Sequence, residues 1–347
     1  MPKSWRSVWP FLLPFTSIFA VFLLFPAIYS IYLSFKHADI YADLTNIWTS
    51  MRWVGLENYQ KLLYDQSFYW SLLMTLYYAV LVIPMGIFLS LSLAAILSNN
   101  LPGAKFFRAA YFLPHVLDLF VLAVVWPSIY APNYGVLDQI LGFFQMDKTS
   151  PIRESGVLAH PWWAMAGIAL AVVLKGSGFG MILYLAAIQN IPADVYEAAE
   201  IDGANGWQKF TRITMPLVKP VTLLLVVTGI LGSLMAFSEV YAMTQGKPNE
   251  TLPQTAMLFG QQMRIPFLGG ASVGTTKVSG YYLFDKFYVA QDYGYASAIS
   301  VALLFISLPL SVIAFFVFRT DGPGFRQVIA KFIDERKKKS AAQGAVS

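Results

Sequence analysis

The charged residues of this 347-residue chain are concentrated in one short segment between long apolar ones. The stretch EAAEIDGANGWQKFTRITMPLVKP, residues 197–220, holds six of them, and its flanks hold almost none. It has no nucleophile–base pair and no metal-ligand spacing, so it is not organised as a catalytic site. Acidic Glu197 and Glu200 precede basic Lys209 and Arg212. A compact segment with an acidic and a basic side predicts a docking element.

The same stretch predicts two short helices joined by a tight turn. Gly203 suits the left-handed residue that ends the first helix, and Asn205 suits the N-cap of the second. Pro216 is predicted to stop the second helix. One apolar face is predicted on the second helix, formed by Trp207, Phe210 and Thr214. An amphipathic pair that simply rests on lipid is the alternative interpretation.

The composition indicates that lipid is the solvent for much of the chain. Hydrophobic residues make up 57% and charged residues 12% of the sequence, and the mean hydropathy is +0.57. Soluble domains carry roughly twice that charge, about 25%. There is no cysteine, which excludes disulfides, thiol catalysis and zinc–thiolate sites.

Apolar runs of about twenty residues predict membrane-spanning helices. The predicted fold is an all-α membrane protein with six such helices. Their predicted ranges are 11–35, 69–97, 109–130, 163–188, 221–243 and 296–318.

Lysine and arginine in the connections predict that both termini are cytoplasmic (N-in/C-in). That orientation places 14 basic residues inside and 9 outside, the bias expected of cytoplasmic loops. The predicted organisation is a cytoplasmic N-terminus (residues 1–10), a transmembrane domain (11–319) and a basic cytoplasmic tail (320–347). The transmembrane domain contains a cytoplasmic loop (189–220) and a long outer loop (244–295).

The order of residues in the charged segment resembles the EAA loop of type I ABC importer permeases. The resemblance extends along nearly the whole chain, through stretches such as WVGLENYQKLL, FFRAAYFLPHVL, LKGSGFGMILYLAAIQNIP and DYGYASAISVALLF. These look like the carbohydrate-uptake branch that contains the maltose and glycerol-3-phosphate importers. The outer stretch between Thr251 and Asp292 is longer than is usual in that branch, so the resemblance says little about it.

The resemblance implies a non-catalytic transport subunit of the bacterial inner membrane. It implies three kinds of protein partner: a second, different permease, two cytoplasmic ATPase subunits that bind ATP and Mg²⁺, and an extracytoplasmic solute-binding protein. This chain would hold no cofactor. GGASVGTTK, residues 269–277, is rejected as a phosphate-binding loop because threonine stands where lysine is required. The implied ATPase-coupling residues are Glu197, Ala198, Ala199, Asp202, Gly203 and Pro216.

The fifth predicted span carries a strip of small and polar residues. Ser233, Ala236 and Glu239 recur at helical spacing, and a carboxylate can accept hydrogen bonds from two sugar hydroxyls. In the maltose-importer branch the equivalent helix lines the pathway, which implies that these three residues and the stacking ring of Tyr241 meet the substrate. A packing seam between helices is the alternative.

Three further ionisable residues fall inside predicted spans. A lysine at the centre of a bilayer costs about 2.5–3.5 kcal/mol on insertion scales, so Lys175 must snorkel, pair or face a polar cavity. His115 and Asp118 lie on one face of the third span, where a hydrogen bond between helices is favoured over a proton relay. An ion-coupled secondary transporter is the competing function class. The sequence leaves the solute open among sugars, polyols and glycerol phosphate.

Overall fold

The computed structural model describes residues 9–38, 51–99, 101–117, 119–144, 150–251, 255–258, 261–264 and 272–318. Asp118, most of the outer stretch 252–271 and the basic tail lie outside the described residues. The described helices are α1 (Trp9–Phe19), α2 (Phe25–Leu33), α3 (Glu57–Leu63), α4 (Gln66–Leu97), α5 (Ala104–Val116), α6 (Leu119–Tyr130), α7 (Val136–Phe143), α8 (Pro151–Glu154), α9 (Ala164–Gln189), α10 (Ala193–Ile201), α11 (Gly206–Lys209), α12 (Met215–Leu217), α13 (Lys219–Leu234), α14 (Ser238–Met243), α15 (Ser279–Phe284) and α16 (Tyr293–Phe318).

Four of the predicted spans are continuous helices long and apolar enough to cross a membrane. They are Leu12–Leu33, in which a wider turn at Ala20–Leu24 joins α1 to α2, and α4, α9 and α16. Large apolar side chains are exposed along all four, as expected of helices that face lipid or another membrane subunit.

The third predicted span is broken. Its helix α5 begins at Ala104, five residues before the predicted start, and ends at Val116, where Leu117 is extended (φ −67°, ψ 142°). The chain is helical again from Leu119. Pro114 lies in the last turn of α5 and supplies no N–H to it, which weakens the helix at this point.

The fifth predicted span is also broken, between α13 and α14. The residue before α14, Phe237, has φ −141° and ψ −58°, outside the helical region. The Ser279 hydroxyl donates to the carbonyl oxygen of Leu234 at 2.9 Å, so a carbonyl freed by the break is satisfied from α15. The Ser279 hydroxyl also accepts from Thr75 of α4 at 2.9 Å.

Within the described residues, three short antiparallel sheets accompany the helices. Lys36–His37 pairs with Arg52–Trp53, Asn249–Thr251 with Ser272–Gly274, and Thr255–Leu258 with Gln261–Arg264. Each has two strands, and all lie in connections between spans. The helical bundle agrees with the predicted class, and the strands are additions in the loops.

The centre of the bundle is the α4–α9 pair, joined by α5 and α13. A Cβ on Gly178 of α9 would lie 2.0 Å from the backbone oxygen of Tyr111, so α5 packs on α9 at a distance that only glycine allows. The Ser90 hydroxyl of α4 donates to the Ser177 carbonyl at 3.0 Å. Two turns further along α9, Tyr184 bonds to Thr222 of α13 through their hydroxyls at 2.8 Å.

Candidate functional site: the 189–220 loop and the broken fifth span

The 189–220 loop is two helices joined by a reversal that the local sequence specifies. Gly203 has φ +76°, and its N–H donates to the Glu200 carbonyl at 3.0 Å. The Ala204 N–H donates to the Ala199 carbonyl at 2.8 Å, which completes the Schellman arrangement that ends α10. The predicted left-handed role of Gly203 is confirmed.

The second helix of the loop begins with a capping box. The Asn205 side chain accepts from the Gln208 N–H, and the Gln208 side chain accepts from the Asn205 N–H, both at 2.9 Å. Two N–H groups that a helix start leaves unbonded are thereby satisfied. The predicted N-cap role of Asn205 is confirmed.

Two side-chain bonds tie the helices of the loop together. The Tyr196 and Thr214 hydroxyls lie 2.9 Å apart, and Lys209 Nζ lies 2.6 Å from a Glu200 carboxylate oxygen. The hydrogen bond from Lys209 and its positive charge lower the pKa of Glu200. The two helices of the loop are therefore joined close to the turn and again about one helical turn further from it.

The second helix does not stop at Pro216 as predicted. It continues to Leu217, where the chain bends by 61° into α13. A wider turn precedes the proline, in which the Met215 N–H donates to the Phe210 carbonyl, and this turn accommodates the proline ring. The bend falls at Val218, which is buried in a cluster that includes Leu97 and Tyr184.

The loop presents an exposed surface to its surroundings. Glu197, Ala198 and Asp202 are exposed, and Ala199 and Pro216 are half-buried. Within the part of the chain that the structure describes, no side chain bonds to the Glu197 carboxylate.

Two apolar side chains stand out on this surface. Ile201 is 88% exposed and Trp207 is 72% exposed. The predicted apolar face is divided, because Trp207 is exposed, Phe210 is half-buried and Thr214 is buried. Ile201 was missed by the sequence analysis. It is the last residue of α10, and an exposed isoleucine there leaves no mark in the helical periodicity.

The predicted pathway residues of the fifth span separate into two environments. Ser233 lies in the last turn of α13, Ala236 in the break and Glu239 in the first turn of α14, and all three are buried. They do not share one helical strip, because the helix breaks between the first and the last of them. The Glu239 carboxylate accepts from the Tyr78 hydroxyl at 2.8 Å. Tyr241 alone of the four is exposed, at 40%.

Tyr241 belongs to an aromatic surface that the break presents. Its ring centre lies 5.4 Å from that of Phe237 and 5.3 Å from that of Phe284, and Phe237 and Phe284 are 4.1 Å apart. Phe237 and Phe284 also line a cavity of about 350 Å³ with Tyr288. Phe284 and Tyr288 come from the stretch predicted as outer loop, and the contact of Phe284 with Tyr241 joins residues distant in sequence.

Residues 64–327 match the family of binding-protein-dependent transport system inner membrane components. The chain belongs to this family. The match contains both the 189–220 loop and the broken fifth span. As a member of the family, the chain is a transport component of the inner membrane.

Similar proteins cover nearly the whole chain. It is 30% identical over 312 residues to the lactose transport system permease protein LacF of Rhizobium radiobacter, covering 90% of this chain and 93% of that protein. It is 30% identical over 302 residues to the trehalose/maltose transport system permease protein MalF of Thermococcus litoralis, covering 87% and 90%.

A solved structure supports the fold. The chain resembles a chain of a bacterial alginate ABC transporter, solved in complex with an alginate pentasaccharide-bound periplasmic protein. The TM-score is 0.69 at 22% identity, covering 91% of this chain and 97% of that one. The predicted importer-permease fold is confirmed, and the count of six spans and the N-in/C-in orientation stay predictions.

Proposed function

We propose that this chain is the permease subunit of an ATP-driven, binding-protein-dependent carbohydrate importer. The names of its relatives, which specify lactose and trehalose or maltose, support a carbohydrate as the solute. In this proposal a second, different permease supplies the other half of the pathway. Two cytoplasmic ATPase subunits bind ATP and Mg²⁺, and an extracytoplasmic binding protein delivers the solute.

The single observation that carries the proposal is the form of the 189–220 loop. Its two helices are capped, bonded to each other and exposed around Glu197 and Ile201. An exposed apolar group beside a carboxylate that no described residue pairs with is suited to a cleft in another protein. It is poorly suited to lying flat on lipid, because the carboxylate would sit at an anionic membrane surface.

The loop is connected to the bundle in a way that can transmit movement. Val218 at the 61° bend belongs to a buried cluster with residues of α4 and α9, while α13 continues from the bend. A displacement of the loop by closing ATPase subunits would therefore move α13 relative to the α4–α9 pair. We propose that this movement opens the pathway alternately to the two sides, with the loop on the cytoplasmic side.

We also propose a division of roles in the pathway. Tyr241 contacts the solute, because its exposed ring offers the flat apolar face against which sugars stack. Ser233, Ala236 and Glu239 form the buried support of the break that presents Tyr241.

The test is uptake by the complete complex in proteoliposomes, with ATP inside and binding protein outside. We expect uptake of a carbohydrate only when the ATPase subunits are present and ATP is hydrolysed. Uptake driven by an ion gradient without ATPase subunits would contradict the proposal and favour a secondary transporter.

A further inference from the structure

Lys175 places a positive charge in the middle of a membrane-spanning helix. It is eleven residues from the start of α9 and fourteen from its end, which corresponds to about 17 Å and about 21 Å at 1.5 Å per residue. A lysine side chain is too short to carry its ammonium group to either end. The charge must be compensated within the membrane.

The part of the protein that the structure describes offers Lys175 no compensating partner. Its ammonium group makes no ion pair and no hydrogen bond there. Glu239 is the one acidic residue within the described helices of the predicted spans, and it is buried and bonded to Tyr78. Asp118 lies outside the described residues, so a bond between it and Lys175 is one of the outcomes that the experiment must separate.

Two side chains lie beside Lys175: His115, which offers a second nitrogen donor, and Phe179, which offers an exposed ring. The His115 imidazole of α5 packs on the stretch of α9 that carries Lys175. It stacks on Phe179, one turn after Lys175, with ring centres 4.8 Å apart and 14° between the ring planes. Phe179 is itself 42% exposed.

The backbone beside this group is irregular. The helix that carries His115 ends one residue later, at Val116, and Leu117 is extended. Non-helical backbone at membrane depth is tolerated where it is enclosed by protein or lines a water-filled path. A half-buried cation next to exposed Gly176 and Phe179 does not face lipid. This face of α9 therefore belongs to an aqueous path or to a contact with another subunit.

We propose that Lys175 binds an anionic group of the transported solute, a carboxylate or a phosphate carried by a sugar or polyol. The inference rests on the proposed importer function and narrows its substrate class. The ammonium group supplies the charge, the His115 ring supplies a second donor, and Phe179 supplies an apolar face for the sugar ring. Solutes without an anionic group leave the Lys175 charge uncompensated and are disfavoured.

The experiment uses the complete complex in proteoliposomes with its own binding protein. The anionic probes are alginate oligosaccharide and glycerol 3-phosphate, and the neutral probes are lactose and maltose. We expect ATP-dependent uptake of an anionic probe. Lys175→Gln should lower that uptake by at least about tenfold, the effect of losing a charged hydrogen bond. Lys175→Arg should keep most of it, and Lys105→Gln, which removes an exposed lysine of α5, should leave it unchanged.

Four results would overturn the inference. ATP-dependent uptake of neutral probes alone, unaffected by Lys175→Gln, would leave the importer function standing and remove the role of Lys175. Dissociation of the two permeases in Lys175→Gln would show that the partner subunit provides the carboxylate. An equal loss of uptake in Asp118→Asn, with loss of thermal stability in both variants, would show an internal ion pair. Uptake that needs no ATP would remove the importer function and this inference with it.

Discussion

The Tyr78 hydroxyl donates a 2.8 Å hydrogen bond to the buried carboxylate of Glu239, and so links α4 to the short helix beyond the break in the fifth span. The bond joins residues 161 positions apart in sequence. It explains how a carboxylate is held inside the bundle, because a buried polar group without a partner is costly. It also makes the two alternatives for Glu239, solute contact and internal support, separable by experiment.

We expect Tyr78→Phe to destabilise the protein by about 1–3 kcal/mol, because it leaves the Glu239 carboxylate buried without its donor. Glu239→Ala should also lower the melting temperature of the purified complex and weaken solute-stimulated ATP hydrolysis, while the subunits stay assembled. If Glu239 contacts the solute directly, Glu239→Gln will change the solute response with little change in melting temperature. An unchanged solute response in Glu239→Ala would assign this residue to packing alone.

The sequence predicts local features of this fold well and the broken spans poorly. Gly203 and Asn205 were predicted correctly because their roles depend on bonds to residues within five positions. The break after Leu234 was missed because the group that satisfies its carbonyl is Ser279, 45 residues away. Periodicity shows which residues are apolar. It does not show a hydrogen bond from a distant loop that satisfies a carbonyl group at a helix break.

Two glycines of α9 provide a matched test of the packing between α5 and α9. A Cβ on Gly178 would lie 2.0 Å from the Tyr111 backbone oxygen, whereas a Cβ on Gly176 would meet nothing within 4 Å. We expect Gly178→Ala to destabilise the chain by about 1–3 kcal/mol, the usual effect of overpacking, and Gly176→Ala to leave it nearly unchanged. Thermal unfolding of both variants in the same detergent would measure the difference. Equal melting temperatures would contradict the close approach of α5.

The environment of the Asp65 carboxyl group predicts how the stability of the protein depends on pH. Burial raises the pKa of its carboxyl group, but hydrogen bonds from the Tyr282 and Tyr295 hydroxyls and from the N–H groups of Phe68 and Ser67 outweigh burial and lower the pKa overall. A carboxyl group whose pKa is lower in the folded protein stabilises it above the unfolded pKa. That contribution is lost as the pH falls through the folded value.

We therefore expect Asp65→Asn to lower the melting temperature at pH 7, and the difference from the wild type to shrink as the pH falls below about 4, where an ordinary aspartate becomes protonated. Glu57→Gln, which removes an exposed carboxylate from nearby α3, is the control. A difference between Asp65→Asn and the wild type that stays constant down to pH 3 would mean that the ionised carboxylate is not the stabilising form.

Ile201 tests whether the exposed apolar group of the 189–220 loop is buried by a partner. Burying an isoleucine side chain contributes about 1.5–3 kcal/mol, so Ile201→Ala should weaken the affinity for the ATPase subunits by about tenfold or more. The melting temperature of the isolated chain should not change, because the side chain is 88% exposed. Titration of purified ATPase subunits onto the permease pair gives the affinity. Unchanged affinity would place Ile201 outside the contact.

Glu197 tests the coupling role itself. Its carboxylate is exposed and unbonded within the described residues, so Glu197→Lys should leave insertion and thermal stability unchanged. We expect the reversed charge to abolish ATP-driven uptake, either by detaching the ATPase subunits or by leaving them bound but uncoupled. Glu57→Lys reverses another exposed charge, on α3, and should preserve uptake. Measuring ATP hydrolysis and uptake in the same proteoliposomes distinguishes the two routes, since detachment removes solute-stimulated hydrolysis and uncoupling leaves hydrolysis without transport. Normal uptake in Glu197→Lys would mean that the force from ATP hydrolysis reaches the bundle at another point.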